Sequence, residues 1–160
     1  MTLLNESLSS ALHEQWSQER FNSHVYLYIA GYLKNMGLDN IAKLFLNQHD
    51  EEISHSKQIF DFLTDTNSEI KILEVPAVSV DCSTIGNIAK EYLQREIATT
   101  DSLNSIKLLA IEQNEPLTEE FMRTMLSQQV KEIEEANGFM DKSKILSEWW
   151  QVMLWDLSLK

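Results

Sequence analysis

The chain holds very few of the residues that break or staple secondary structure: among 160 residues there are two Pro, four Gly and one Cys. So few turn-formers argue against many short strands and for a few long helices. The single thiol, Cys82, excludes a disulfide framework and any Cys-based zinc site, and it fits a reducing compartment. Positive charge is scarce too, with 13 Lys and Arg against 25 Asp and Glu, a formal charge of −12. No basic run offsets this, so nucleic acid is not an expected partner. Long apolar runs are missing. The longest, Trp149 to Trp155, is interrupted by Gln151 and falls far short of the ~20 residues that span a bilayer. Met1 to Gln15 lacks a basic region followed by an apolar stretch, so no secretory signal is read there. A cytoplasmic protein with no membrane partner is expected.

What is present is a substantial apolar fraction, 43% of the chain, enough for a real core. A single domain over residues 1–160 is expected. Helical periodicity predicts an all-α chain with helices at about 5–35, 39–65, 84–113, 118–142 and 146–159. Gly37 supplies the first stop, Asp39 is read as the N-cap of the second helix, and Asn114-Glu115-Pro116 breaks the third. Thr118, with Glu119 and Glu120, is read as the start of the fourth. Between the second and third helices the alternating Ile70, Ile72, Val75, Val78 and Val80 have no partner strand, so an extended connection is predicted. It runs for roughly 17 residues, long enough to retrace a helix of about 27 residues at ~1.5 Å each. The short loops elsewhere make antiparallel pairs, and one long crossover within four helices is the ferritin-like arrangement rather than a simple up-down bundle.

Heptad steps trace the core-facing line of each helix, and an acid interrupts every line. Leu12, Glu19, Tyr26 and Leu33 share a line on helix one. Phe45, Glu52 and Ile59 share one on helix two, with Gln48, His55 and Phe62 beside it. Helix three has Ala89, Glu96, Leu103 and Ala110. Helix four has Met125, Glu132 and Phe139, flanked by Met122, Gln129 and Ala136. Each acid sits near mid-helix, where the helices of a bundle meet at one level whichever way each runs. Four carboxylates, one imidazole and one amide are therefore expected to converge.

Burying even one unpaired carboxylate costs several kcal/mol, so four together demand cations or protons. Two divalent cations neutralise four carboxylates, and this ligand chemistry suits iron or manganese and accepts zinc. Glu52 and His55, at i and i+3, form one Glu-x-x-His pair of the di-metal carboxylate bundles, while helix four offers Gln129-x-x-Glu132 in place of the second. Tyr26, one heptad from Glu19, is placed to hydrogen-bond a ligand. His13, His24 and His49 are read as surface or packing residues, and the Trp and Met residues as packing.

With these residues in order, the chain resembles the ferritins over nearly its whole length. Leu12-His13-Glu14-Gln15 with Glu19, Ser23 and Tyr26-Leu27 is similar to the family's first helix. His49-Asp50-Glu51-Glu52-Ile53-Ser54-His55 is similar to its second, and Ser127-Gln128-Gln129-Val130-Lys131-Glu132 to its fourth. The Gln-x-x-Glu pattern resembles the non-haem bacterial ferritins. The resemblance implies a ferroxidase centre of two irons per subunit. Glu19, Glu52 and His55 would hold one iron and Glu96 and Glu132 the other, with Glu52 bridging and Gln129 close by. It also implies Fe(II) as substrate, O2 or H2O2 as oxidant, and a ferric mineral inside a homo-oligomeric cage of 24 chains. The position of the haem-ligating Met of bacterioferritins is Ile53, so no haem is implied. A third iron position in the family uses the extra Glu of the Glu-Glu segment, here Glu51, and two helix-four acids. Those two are Gln128 and Lys131 in this chain, so that position is expected to be weak or absent. The tail is richer in Trp than the family usually shows.

Two other classes of function share parts of this pattern. A di-metal oxidoreductase of catalase or hydroxylase type would use the same ligands without storage. An acidic helical interaction protein would use none of them.

Overall fold

The computed structural model describes residues 1–160 and contains helices but no strands. Its elements are α1 (Glu6–Asn35), α2 (Asp39–Asp65), α3 (Ile85–Glu112), α4 (Pro116–Lys144) and the short α5 (Trp149–Ser158). No helix is long and apolar enough to cross a membrane.

Local chemistry explains most helix ends. Asn5 caps α1 by accepting from Leu8 N at 3.0 Å, and Thr84 caps α3 by accepting from Asn87 N at 3.0 Å. Three helices stop in one motif. Past the C-cap, the residue two on donates back to the carbonyl five before it: Leu38 to Leu33, Ser68 to Leu63, and Glu115 to Ala110. The residue between must take positive φ, and Gly37 (79°), Asn67 (57°) and Asn114 (53°) do so.

Two starts differ from the sequence reading. Asp39 does not cap α2; it lies in the first turn, and the cap position, Leu38, has no side-chain acceptor. The fourth helix begins ahead of Thr118, because Glu115 accepts from Leu117 N and Thr118 N while Pro116 needs no amide partner at the first helical position.

Cross-helix bonds give the directions. Gln15 meets Ser102, Asn22 meets Thr99 and Tyr26 meets Glu96, so α1 and α3 run antiparallel. Glu51 meets Lys131 and Gln58 meets Gln128, so α2 and α4 do likewise. The tight turns make α1–α2 and α3–α4 antiparallel pairs, which leaves α2 parallel to α3 as the long crossover demands. That crossover, 66–84, is tied along α1. Lys71 N donates to His13 Nε2, Ser17 Oγ donates to Glu74 O, and Arg20 donates to Leu73 O.

The apolar core is split in two. One cluster, with Tyr26, Ile29, Leu33, Phe45, Ile88 and Phe139, fills the end nearer α5. The other, with Leu8, Leu12, Ile59, Leu63, Leu103 and Met122, fills the opposite end. Between them lies a layer of buried polar side chains.

Candidate metal centre

Glu19, Glu52, Glu96 and Glu132 are 0%, 0%, 0% and 2% exposed, one from each long helix, and all lie in that polar layer. Residues a heptad away on each line, such as Leu12, Ile59, Leu103 and Met125, enter the apolar clusters. Helical periodicity therefore drives each acid inward with its line, and burial of its neighbours on both sides keeps water away.

His55 Nδ1 lies 3.7 Å from Glu52 Oε1 and 3.9 Å from Glu19 Oε2. Two ligand groupings meet here. Glu19, Glu52 and His55 form one, Glu51, His55 and Glu132 the other, and within each the donor atoms lie within 4.8 Å of one another. Glu96 stands outside both and is oriented from two sides. Tyr26 donates its hydroxyl to Oε1, and Gln129 donates Nε2 to Oε2 at 3.1 Å. Glu19 is steadied by Gln15, which donates Nε2 to its Oε1 at 2.7 Å and accepts from Ser102 Oγ at 2.5 Å.

Of the buried polar atoms in the chain without a hydrogen-bond partner, five belong to this layer: Glu19 Oε2, both oxygens of Glu52, His55 Nδ1 and Glu132 Oε2. Such atoms are costly in a folded core unless something outside the chain pairs with them. Electrostatics agree. Burial, then the neighbouring Glu52 charge, raises Glu19 well above the carboxylate range. Burial pushes Glu52 up to about 8 and Glu132 up to about 7, the nearby acids adding to both. Glu96 is raised by burial against the lowering effect of its bonds to Tyr26 and Gln129. Tyr26 is itself raised by burial and by the Glu96 charge. Carboxylates raised in this way, with oxygens left unpartnered beside an unpartnered imidazole nitrogen, fit a divalent cation such as iron, manganese or zinc.

The bundle matches ferritin structures. The open-pore ferritin of the hyperthermophilic archaeon Archaeoglobus fulgidus superposes with a TM-score of 0.92, covering 99% of this chain and 98% of that one at 22% identity. A humanized archaeal ferritin superposes at 0.91, covering 98% and 95% at 21% identity. Residues 9–145 match the ferritin-like domain. The chain belongs to the ferritin family. A bacterial non-heme ferritin of Staphylococcus epidermidis is 30% identical over 130 residues, 81% of this chain and 78% of that protein. One of Staphylococcus aureus is 27% identical over the same shares. Membership supports iron storage as the general function and a ferroxidase-type oxidoreductase as the general activity.

In this ferritin the structure brings Glu19, Glu52 and His55 together, sets Glu132 beside His55, and links Gln129 to Glu96. Tyr26 bonds Glu96 rather than Glu19, its neighbour on the heptad line. Glu51, Gln128 and Lys131 lie at a cavity of about 350 Å³ between α2 and α4, which His55 and Glu132 also line. Sequence reasoning passed over Gln15 as a partner of Glu19, although its i, i+4 spacing was a readable signal. It also gave no role to Ser102 or to the Gln58–Gln128 amide pair, whose partners lie on other helices. His13 and His49 bond backbone groups of Ser9, Lys71 and Ser23, outside the centre.

Proposed function

We propose that the chain stores iron by oxidising Fe(II) at the mid-bundle centre and passing Fe(III) to a ferric mineral inside a cage of 24 copies. The observation that carries this reading is the set of five unpartnered donor atoms from Glu19, Glu52, His55 and Glu132, enclosed between two apolar clusters. Glu19, Glu52 and His55 bind the first Fe(II). Glu96 and Glu132 bind the second, Glu52 reaches both, and Gln129 positions Glu96. Two Fe(II) ions each give one electron to O2, which takes up two protons and leaves as H2O2; with H2O2 as oxidant the product is water. The carboxylates stabilise the ferric product more than the ferrous substrate, because the attraction scales with the metal charge. Similarity to cage-forming ferritins supports a multimeric assembly.

Size-exclusion chromatography before and after aerobic Fe(II) loading tests the reading. An assembly of several hundred kilodaltons that turns amber is the expected result. A small, colourless species has no cavity for mineral and would point to a di-metal oxidoreductase instead.

A further inference from the structure

A second cavity, of about 560 Å³, opens between α2 and α4, with α5 against it. Its size suits a small organic molecule. None of Glu19, Glu52, His55, Glu96, Gln129 and Glu132 lines it. Four helices each give it one aromatic ring: Phe45 from α2, Tyr92 from α3, Phe139 from α4 and Trp155 from α5. The Phe139 ring centroid lies 5.2 Å from Phe45, 6.0 Å from Tyr92 and 5.3 Å from Trp155. The Trp-rich tail thus supplies one wall of the cavity.

The face that α4 turns to this space is open. Glu135, Gly138 and Lys142 recur at helical spacing, so they share that face, and all three line the cavity. A Cβ at Gly138 would meet nothing within 4 Å. Across from it Gln48 is 5% exposed and donates Nε2 to Glu135 Oε2 at 3.0 Å. Its Oε1 is buried without a partner, which calls for a donor from outside the chain. The lining carries three carboxylates, Asp50, Glu51 and Glu135, against the ammoniums of Lys131 and Lys142. Lys131 is held by Glu51 and Glu135, 3.3 and 3.6 Å away. A surplus negative charge beside aromatic rings favours a cation over an anion.

We propose that this cavity binds an arylalkylammonium, an aromatic ring on a short chain that ends in a protonated amine. The ring packs among Phe45, Tyr92, Phe139 and Trp155, where aromatic pairs gain more than their buried area alone. The ammonium donates to Gln48 Oε1 and faces the Glu135 carboxylate. An ammonium has three donors and no acceptor, which matches an unpaired amide oxygen next to an acid. Aromatic walls and one amide oxygen suit a bare metal ion poorly, since hard cations take six or more oxygen ligands.

Isothermal titration of the assembled, metal-free protein in the presence of a chelator tests this with three probes of similar shape. Phenethylamine is expected to bind, 2-phenylethanol about tenfold more weakly, and 3-phenylpropionate not measurably. Gln48→Leu should weaken phenethylamine about tenfold. Gly138→Leu should abolish its binding by filling the opening. Lys142→Gln removes an opposing charge at an exposed position and should tighten binding about twofold, a readout that holds even where a change nearer the core disturbs assembly. Absence of phenethylamine binding to wild type would overturn the site. So would equal binding of the alcohol, a preference for phenylpropionate, or unchanged affinity in Gln48→Leu and Gly138→Leu. Each of these failures leaves the metal centre standing, because its ligands lie outside this cavity.

Discussion

Asp156, on the last helix, accepts a hydrogen bond from Ile41 N at 2.7 Å and so caps a helix more than a hundred residues earlier. The carboxylate is 4% exposed, and Asn40 Nδ2 donates to the Asp156 carbonyl at 3.0 Å. α2 has no side-chain acceptor at its own cap position, so the C-terminal helix supplies the negative charge that its N-terminus favours. Asp156→Ala should cost about 1–2 kcal/mol, the usual loss for a missing N-cap. Thermal or urea unfolding measures it, and Asp156→Asn should keep part of the stability. An alanine variant as stable as wild type would show that the bond contributes nothing.

Glu52 has both oxygens without partners and is buried among the charges of Glu96 and Glu132. Glu52→Ala should slow initial Fe(II) oxidation by more than the ~10–100-fold that follows loss of a ligand's hydrogen-bond partner. Assembly size should not change. Stopped-flow oxidation beside size-exclusion chromatography checks both, and oxidation at the wild-type rate would show that the centre lies elsewhere.

Metal-free stability should fall as pH rises. Glu52 and Glu132 are raised to about 8 and about 7 in the folded chain, against an ordinary value of 4.5. Between those limits the native state binds more protons than the unfolded chain, so each unit of pH favours unfolding. Stability is therefore greatest below about pH 4.5 as far as these two groups are concerned, and it is lost progressively up to pH 8. Zn(II) bound at the centre replaces those protons and should flatten the profile. Thermal melts from pH 5 to 8, with and without Zn(II), make the comparison; parallel profiles would contradict it.

Gln129 and Tyr26 grip the two oxygens of Glu96. Gln129→Leu and Tyr26→Phe should each weaken the second metal position by about 10–100-fold and leave the first nearly intact, because Glu19 is held separately by Gln15. Isothermal titration with Zn(II) resolves the two sites. Equal weakening of both would argue that the hydrogen bonds act on the whole bundle rather than on Glu96.

A proton count gives an independent check. Zn(II) loading near pH 7 should release protons into weak buffer, since the raised carboxyls of Glu52 and Glu132 are partly protonated there. Binding without proton release would show that these carboxyls were already ionised.

Much of the architecture was legible along the chain because helical periodicity is a local property. Leu12, Glu19, Tyr26 and Leu33 recur every seven residues, so they share a face before any neighbour is known. The acids on lines otherwise apolar marked a polar layer for the same reason. Turn chemistry was only half readable. Gly37 announces positive φ, but Asn67 does the same work and reads as an ordinary polar residue, since asparagine serves many roles.

Partnerships across helices were not legible. The rotation and axial register of packed helices determine that Tyr26 reaches Glu96, that Lys131 reaches Glu51, and that Asp156 replaces an absent cap on α2. These depend on how side chains from several helices fill shared space, and a shift of one residue along an axis would change every pair. Residue order alone settled which side chains turn inward and at what height along each helix. Packing then selected the bond each makes there, because a hydrogen bond is sensitive to tenths of an ångström that a periodic pattern does not carry.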